Sequence, residues 1–244
     1  MAFGTMYCAG KTPALITARR ILAQKGISFD DSPGWNIRHL LFDVPSFRPG
    51  LWSDDALETL LASLPHNVTI WGGNLRHPAL ESWHTVDLLQ DESYLQGNAD
   101  ITAACTIPIA ESALQLPWNK TNALIIGWGR IGKSLSGMLC ALGCHITILT
   151  RSACHKAEAA SSGFSVIDAP DDLQPFHLII NTAPAHVLSV PEDCSAVCID
   201  LASVRGITGE NVIWARGLPG RFAPEQSGKL IADTILRLSK EVCP

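Results

Sequence analysis

The residues whose spacing most clearly suggests chemistry are Gly127, Gly129 and Gly132, in the run Gly127-Trp128-Gly129-Arg130-Ile131-Gly132 that follows the apolar segment 123–126. In this pattern a first glycine allows a tight turn and a second lets main-chain amides approach a pyrophosphate. A third lets the following helix pack on the strand. The helix N-terminus adds partial positive charge. Residues 133–142 read as that helix, closed by Gly143, and 145–150 alternates as the next strand, where a dinucleotide's ribose is held. That strand ends in Thr150, Arg151 and Ser152 rather than in an acid. With no carboxylate to repel it, a 2′-phosphate can be gripped by the planar Arg151 guanidinium, which favours NADP over NAD.

The same stretch, 127–134, also spells G-x-x-x-x-G-K-S, the loop of nucleoside-triphosphate hydrolases, and Ala196-Val197-Cys198-Ile199-Asp200 could supply a magnesium-holding strand end. Two features favour the dinucleotide. Gly129 is required by one motif and merely permitted by the other, and Arg151 has no part to play with ATP. Lys133 and Ser134 then sit on the solvent side of the first helical turn.

The elements that must position these residues imply an α/β chain with a C-terminal Rossmann-like doubly wound parallel sheet (105–244) and a smaller N-terminal α/β domain (1–104). In the first part, 5–8, 38–44 and 68–71 read as strands, and 13–24 and 54–64 as helices with Pro13 and Ser53 at their starts. Residues 45–50 form a loop. Gly72-Gly73-Asn74-Leu75-Arg76-His77-Pro78 follows a strand, where open α/β sheets place ligands. Residues 80–91 mix strand and helix signals. A bridging helix is expected over 107–118 and a final helix over 225–240, packing back toward the N-terminal domain. The loops Asn181-Thr182-Ala183-Pro184 and Asp200-Leu201-Ala202-Ser203, with Leu218 and Pro219 of the later turn, fall on the edge expected to face the nicotinamide half.

Composition agrees with two soluble domains. The chain has 244 residues, 47% hydrophobic and 17% charged, which is ample core material. A net charge of −5 without basic runs argues against nucleic acid or an anionic membrane as partner. The start lacks a signal peptide's basic and apolar regions and no apolar run reaches membrane-span length, so a cytoplasmic protein is expected. The eight cysteines contain no C-x-x-C, and Cys154-His155 lacks a second pair at zinc spacing. Free cysteines and no metal are expected.

The run Thr106-Ile107-Pro108-Ile109-Ala110-Glu111-Ser112-Ala113, the Gly127 loop, Asn181-Thr182-Ala183-Pro184, Ile199-Asp200-Leu201-Ala202-Ser203 and the stretch from Gly217-Leu218-Pro219-Gly220-Arg221 to Ser227-Gly228 together resemble the A-type subunits of dipicolinate synthase. Leu41-Phe42-Asp43-Val44-Pro45-Ser46 resembles the family's strand ending in Pro-Val-Ser, with the order changed. The resemblance implies an N-terminal flavodoxin-like domain for substrate or partner, and an NADP-dependent oxidation of dihydrodipicolinate, or its hydroxylated precursor, to dipicolinate. It also implies a role in sporulation beside the flavoprotein-like B-type partner of dipicolinate synthase, and a homo-oligomer is expected. A regulatory or scaffolding protein that binds NADP without turnover is the alternative.

Such a substrate needs donors for two carboxylates and a base. Arg48, Arg76, His77 and Arg221 lie on expected loops facing a cleft, with Arg76 beside Asn74 preferred and Ser46 added from the resembling segment. Glu111 and His186 are the candidate bases, and His186 has the more suitable intrinsic pKa. Asp200 reads more as an acceptor for loop amides than as a base. Other dehydrogenases fit less well: Asn67-Val68-Thr69 resembles a shikimate dehydrogenase signal without its lysine, and no histidine follows His186 as hydroxyacid dehydrogenases require.

Overall fold

The computed structural model describes residues 4–48, 50–170 and 172–242. Pro49, in the expected 45–50 loop, and Cys243 lie outside them. The chain forms two compact units, Met1–Asn98 with Ala223–Pro244, and Ala99–Phe222.

The first unit is built from β1 (Met6–Cys8), α1 (Pro13–Gln24), β2 (Phe29–Asp30), β3 (His39–Leu41), α2 (Asp54–Ala62), β4 (Thr69–Gly72) and β5 (His84–Asp87). All five strands pair in parallel, in the order β2-β1-β3-β4-β5. This is the flavodoxin-like order. Both faces are covered because successive strand residues point opposite ways. Leu40 and Ile70 pack with Leu57 and Leu61 of α2, whereas Leu41 and Trp71 pack with Leu15, Ala18 and Leu22 of α1. Thr12 and Ser53 cap the two helices, accepting from the Leu15 and Ala56 amides at 3.3 Å each.

The terminal helix α7 (Pro224–Val242) belongs to this first unit rather than to the second. Its Ile231, Ala232 and Ile235 join the α1 core. Gly228 permits the close approach, since a Cβ there would lie 2.4 Å from the Ala14 carbonyl oxygen. Glu225 accepts from Thr17 at 2.9 Å and pairs with Arg20 at 2.6 Å, and Arg237 pairs with Asp91 at 2.5 Å.

The helix α3 spans Glu92–Ala113 rather than 107–118, carries Pro108 inside it, and contains the boundary between the units. Residues 118–120 are a separate 3-10 turn. Helix propensity hid the true start, because Gly97 and Asn98 are weak helix formers. Packing overrides this: a Cβ on Gly97 would meet Leu230 of α7 at 2.7 Å, and Asp91 caps the helix through the Tyr94 amide at 2.8 Å.

The second unit contains β6 (Asn122–Ile126), α4 (Arg130–Ala141), β7 (His145–Leu149), α5 (Ala153–Ser161), β8 (Ser165–Ile167), β9 (Leu178–Asn181), β10 (Leu188–Ser189), β11 (Val197–Asp200), β12 (Ile207–Thr208), β13 (Val212–Trp214) and α6 (Leu218–Phe222). Six of these strands form one parallel sheet in the order β13-β11-β9-β6-β7-β8, with β10 and β12 in a small ladder beside it. The strand order is that of the doubly wound dinucleotide fold, and its direction of winding reverses between β6 and β9. Leu124, Ile126, Leu149, Ile179, Cys198 and Ile207 make its core. The seven cysteines among the described residues are free, and among those residues no helix is long and apolar enough to cross a membrane.

One buried polar pair in the first sheet links stability to pH. His39 is 6% exposed and its Nδ1 accepts from the Trp71 indole N–H at 3.2 Å. Burial pushes the His39 imidazole down from 6.5 to about 4. The unfolded chain therefore binds more protons between these values, so this contribution is complete above pH 6.5 and is lost as pH falls toward 4. Melting temperature should drop by several degrees across that window, and His39→Gln should flatten that part of the profile. An unchanged slope in the variant would show that His39 does not carry it.

Candidate dinucleotide site

The turn after β6 is set by three glycines with three different surroundings. Gly127 has φ +96°, a left-handed conformation that disfavours any side chain, and a Cβ there would meet Thr182 Oγ1 at 2.7 Å. Gly132 lies under the turn, where a Cβ would come within 2.2 Å of the Gly127 carbonyl oxygen. Gly129 caps α4 and faces open space, with nothing within 4 Å of a Cβ. The tight turn, the approach to a ligand and the helix–strand contact thus fall on the first, second and third glycine respectively.

The triphosphate-loop alternative is excluded by the same geometry. In that motif the glycine before the lysine still belongs to the loop, whereas here α4 already begins at Arg130 and Gly132 is inside it. Lys133 pairs with Glu158 of α5 at 2.5 Å, and this ammonium holds the Glu158 carboxyl below its ordinary range. Ser134 donates to Asp100 at 2.5 Å. Asp200 is fully buried and its two oxygens accept from four donors: Asn181 Nδ2 at 3.0 Å and the amides of Ala202, Gly206 and Ile207 at 2.9, 2.7 and 2.8 Å. No lone pair is left for magnesium.

This network also gives the side chains of several expected contact residues a structural part. The Asp200 side chain shapes the loop after β11 instead of reaching a cofactor. Leu201, Ala202 and Leu218 are buried core residues. Asn181 is fully buried, bonding Ala183 O as well as Asp200. Trp128 turns its indole inward, T-shaped against Phe164 at 5.5 Å, so only its main chain remains for a ligand. Thr182 donates to Ile126 O at 2.9 Å and tethers the β9 loop to the glycine turn. Ala183 and Pro219 are half-buried and Pro184 is exposed. Arg130 is exposed and Ile131 half-buried in the first turn of α4. At the end of β7, Thr150 is buried, Ser152 caps α5, and Arg151 is exposed with no carboxylate paired to it among the described residues.

In the first unit, Ser46 is a structural residue, not a catalytic one. It is fully buried, and its Oγ donates to Asp43 O at 2.8 Å and accepts from the Gly73 amide at 3.0 Å, joining the loops after β3 and β4. Asn74 is left-handed at φ +57°, and Asp87 holds this turn by accepting from the Asn74 and Leu75 amides at 3.0 Å each. Arg76 is exposed beside it, and Arg48 is also exposed. His77 caps a 3-10 turn through the Ala79 amide. In the second unit, Glu111 on α3, His186 on the β9 loop and Arg221 on α6 are all exposed.

Sequence reasoning passed over one cluster. Trp214 ends β13, its indole N–H donates to Ala202 O at 3.2 Å, and the guanidiniums of Arg205 and Arg216 lie 5.5 and 5.0 Å from its ring centroid. The available signal was two Arg-Gly dipeptides, one directly before β12 and one just beyond the end of β13.

No protein-family model matches the chain. Its fold is that of the two-domain Rossmann-type dehydrogenases: a D-isomer specific 2-hydroxyacid dehydrogenase from Lactobacillus delbrueckii ssp. bulgaricus, solved in an NAD-complexed form, superposes with TM-score 0.60 at 11% identity over 98% of this chain and 99% of that one. The A-type subunit of dipicolinate synthase from Bacillus halodurans superposes with TM-score 0.80 at 20% identity, covering 96% of each chain. In sequence, the chain is 27% identical to the A-type subunit of Bacillus subtilis dipicolinate synthase over 165 residues, 59% of this chain and 56% of that relative. The match thus spans just over half the length of the curated relative.

The glycine geometry makes a contrast testable by melting and by binding. Gly132→Ala should destabilise the protein by about 1–3 kcal/mol, because a backbone oxygen must move. Gly129→Ala should cost less, on the order of 0.5–1 kcal/mol because Ala is the poorer N-cap, while weakening dinucleotide binding. Equal melting temperatures for the two variants would contradict the assigned contacts.

Proposed function

We propose that the chain is an NADP-dependent oxidoreductase that oxidises dihydrodipicolinate, or its hydroxylated precursor, to dipicolinate. The observation that carries this reading is the glycine turn, whose open side at Gly129 fits a pyrophosphate, in a chain that resembles the A-type subunits of dipicolinate synthase in both sequence and fold. Main-chain amides of 127–132 and the α4 N-terminus would hold the diphosphate. Arg151 would hold the 2′-phosphate, and Thr182, Ala183 and Pro184 would border the nicotinamide. When bound, the cofactor supplies a hydride acceptor.

Aromatisation of the dihydropyridine ring removes one hydride and one proton, and the hydroxylated precursor first loses water to reach that ring, so the protein's own tasks are orientation and proton removal. His186 follows Pro184 on the β9 loop and is the proposed proton acceptor, with Glu111 the less suited because it lies on α3. Arg76 and Asn74, in the turn held by Asp87, are proposed as the polar contacts that the first unit offers a ligand, and Arg221 is proposed, separately, as one that the second unit offers. By the same likeness, a flavoprotein-like B-type partner, a cytoplasmic site in sporulating cells and a homo-oligomer belong to this proposal.

Freshly generated dihydrodipicolinate and NADP, with and without the B-type partner, should yield NADPH and dipicolinate. Cofactor binding without turnover under both conditions would instead identify a regulatory protein. Arg151→Ala should weaken NADP binding by about 1–3 kcal/mol and spare NAD. Equal losses for the two dinucleotides, measured by titration calorimetry, would remove Arg151 from the phosphate site.

A further inference from the structure

The cluster around Trp214 has no part in holding the fold's core, yet it is built from fixed parts. All six strands of the second sheet run the same way, so the segments after β11 and β13 lie on the same edge as the glycine turn after β6. On that edge Asp200 pins the loop containing Ala202, Gly206 and Ile207, and Trp214 is anchored to this loop through Ala202 O. Arg205 and Arg216 converge on one indole although their charges repel. Cation–π attraction holds both guanidiniums over the ring without consuming their N–H donors. Neither arginine is paired with a carboxylate among the described residues, in contrast to Lys133, Lys156 and Lys229, which are matched by Glu158, Asp168 and Asp233.

We propose that Arg205 and Arg216, splayed on Trp214, form a clamp for the two carboxylates of a small dicarboxylate at the carboxyl edge of the second sheet. Each guanidinium offers a planar fork to one carboxylate, and a doubly negative ligand relieves the repulsion between the two arginines. Trp214 is a positioning residue that sets their spacing. The identity of the ligand as a pyridine or dihydropyridine dicarboxylate rests on the proposed reaction, whereas the clamp rests on the arginine geometry.

Calorimetry with the stable product, dipicolinate, tests both without requiring turnover. The unmodified protein should bind dipicolinate well above picolinate, which has one carboxylate. Arg205→Gln and Arg216→Gln should each weaken dipicolinate on the order of ten- to a hundredfold, the loss of a charged hydrogen-bonded pair, with NADP affinity and melting temperature unchanged. Trp214→Phe should cost less, because a ring remains. Dipicolinate binding that is indifferent to both arginine substitutions would overturn the clamp and leave the proposed reaction standing. If the protein ignores dipicolinate but binds isophthalate or malate in an arginine-dependent way, the clamp stands and the reaction falls. Failure to bind any of these dicarboxylates would overturn the clamp.

Discussion

The contact on which the second unit depends is the passage of α4 directly beneath the Gly127 turn. It fixes where the helix starts, and that start fixes which amides are free. With a side chain at 132 the helix would have to withdraw from the Gly127 carbonyl, and the amides at its first turn would withdraw with it. The turn is braced from the other side by Thr182, which bonds Ile126 O and leaves no room for a Cβ on Gly127. Two neighbouring strands, β6 and β9, are therefore locked together where the direction of winding reverses, the place at which open α/β sheets present ligands. An apolar core alone would tolerate several helix positions. This contact permits one.

Polar residues at the carboxyl edges divide into two populations, and burial explains the division. A buried polar group must be satisfied within the protein, because water cannot reach it. Asp200, Asn181 and Ser46 are buried and their hydrogen bonds go to nearby backbone or to each other, so they build loops. Asp87 does the same for the Asn74 turn. Arg76, Arg151, His186, Arg205 and Arg216 are exposed and stand on the loops thus built. The first group gives the second its geometry.

What could be read in the sequence follows from range. The three glycines, the strand before them and the helix after them form one local unit whose constraints are all within a few residues, and the sequence pattern located each. The parallel, doubly wound class of the second sheet was legible as a βα rhythm, because parallel crossovers leave few topologies open, whereas the short edge strands β2, β5, β8 and β13 were not. The start of α3 was not legible: Gly97 argues against helix locally, and its reason is Leu230, far along the chain. Ser46 and Asp200 presented the opposite problem. A hydroxyl or carboxylate at a strand end suits a ligand contact and a loop brace equally well in sequence, and only the donors around it decide. Arg205 and Arg216 were missed because their shared partner, Trp214, ends a different strand from the one that precedes Arg205.

The distribution of charge carries the argument beyond any single residue. The chain is net negative at −5, which by itself would disfavour an anionic substrate. Net charge is a poor guide at the distance of a contact, because salt screens charges beyond about 10 Å. The cations on helices are locally cancelled, Lys133 by Glu158, Lys156 by Asp168 and Lys229 by Asp233, and such exposed pairs contribute little to stability. The arginines after β7, β11 and β13 are not cancelled. Within the second unit Lys133 and Lys156 are thus matched by acids, while among the described residues Arg151, Arg205 and Arg216 stand beyond strand ends without a carboxylate partner, and Asp200 is already enclosed by four donors. An excess of acid elsewhere sharpens this contrast rather than opposing it.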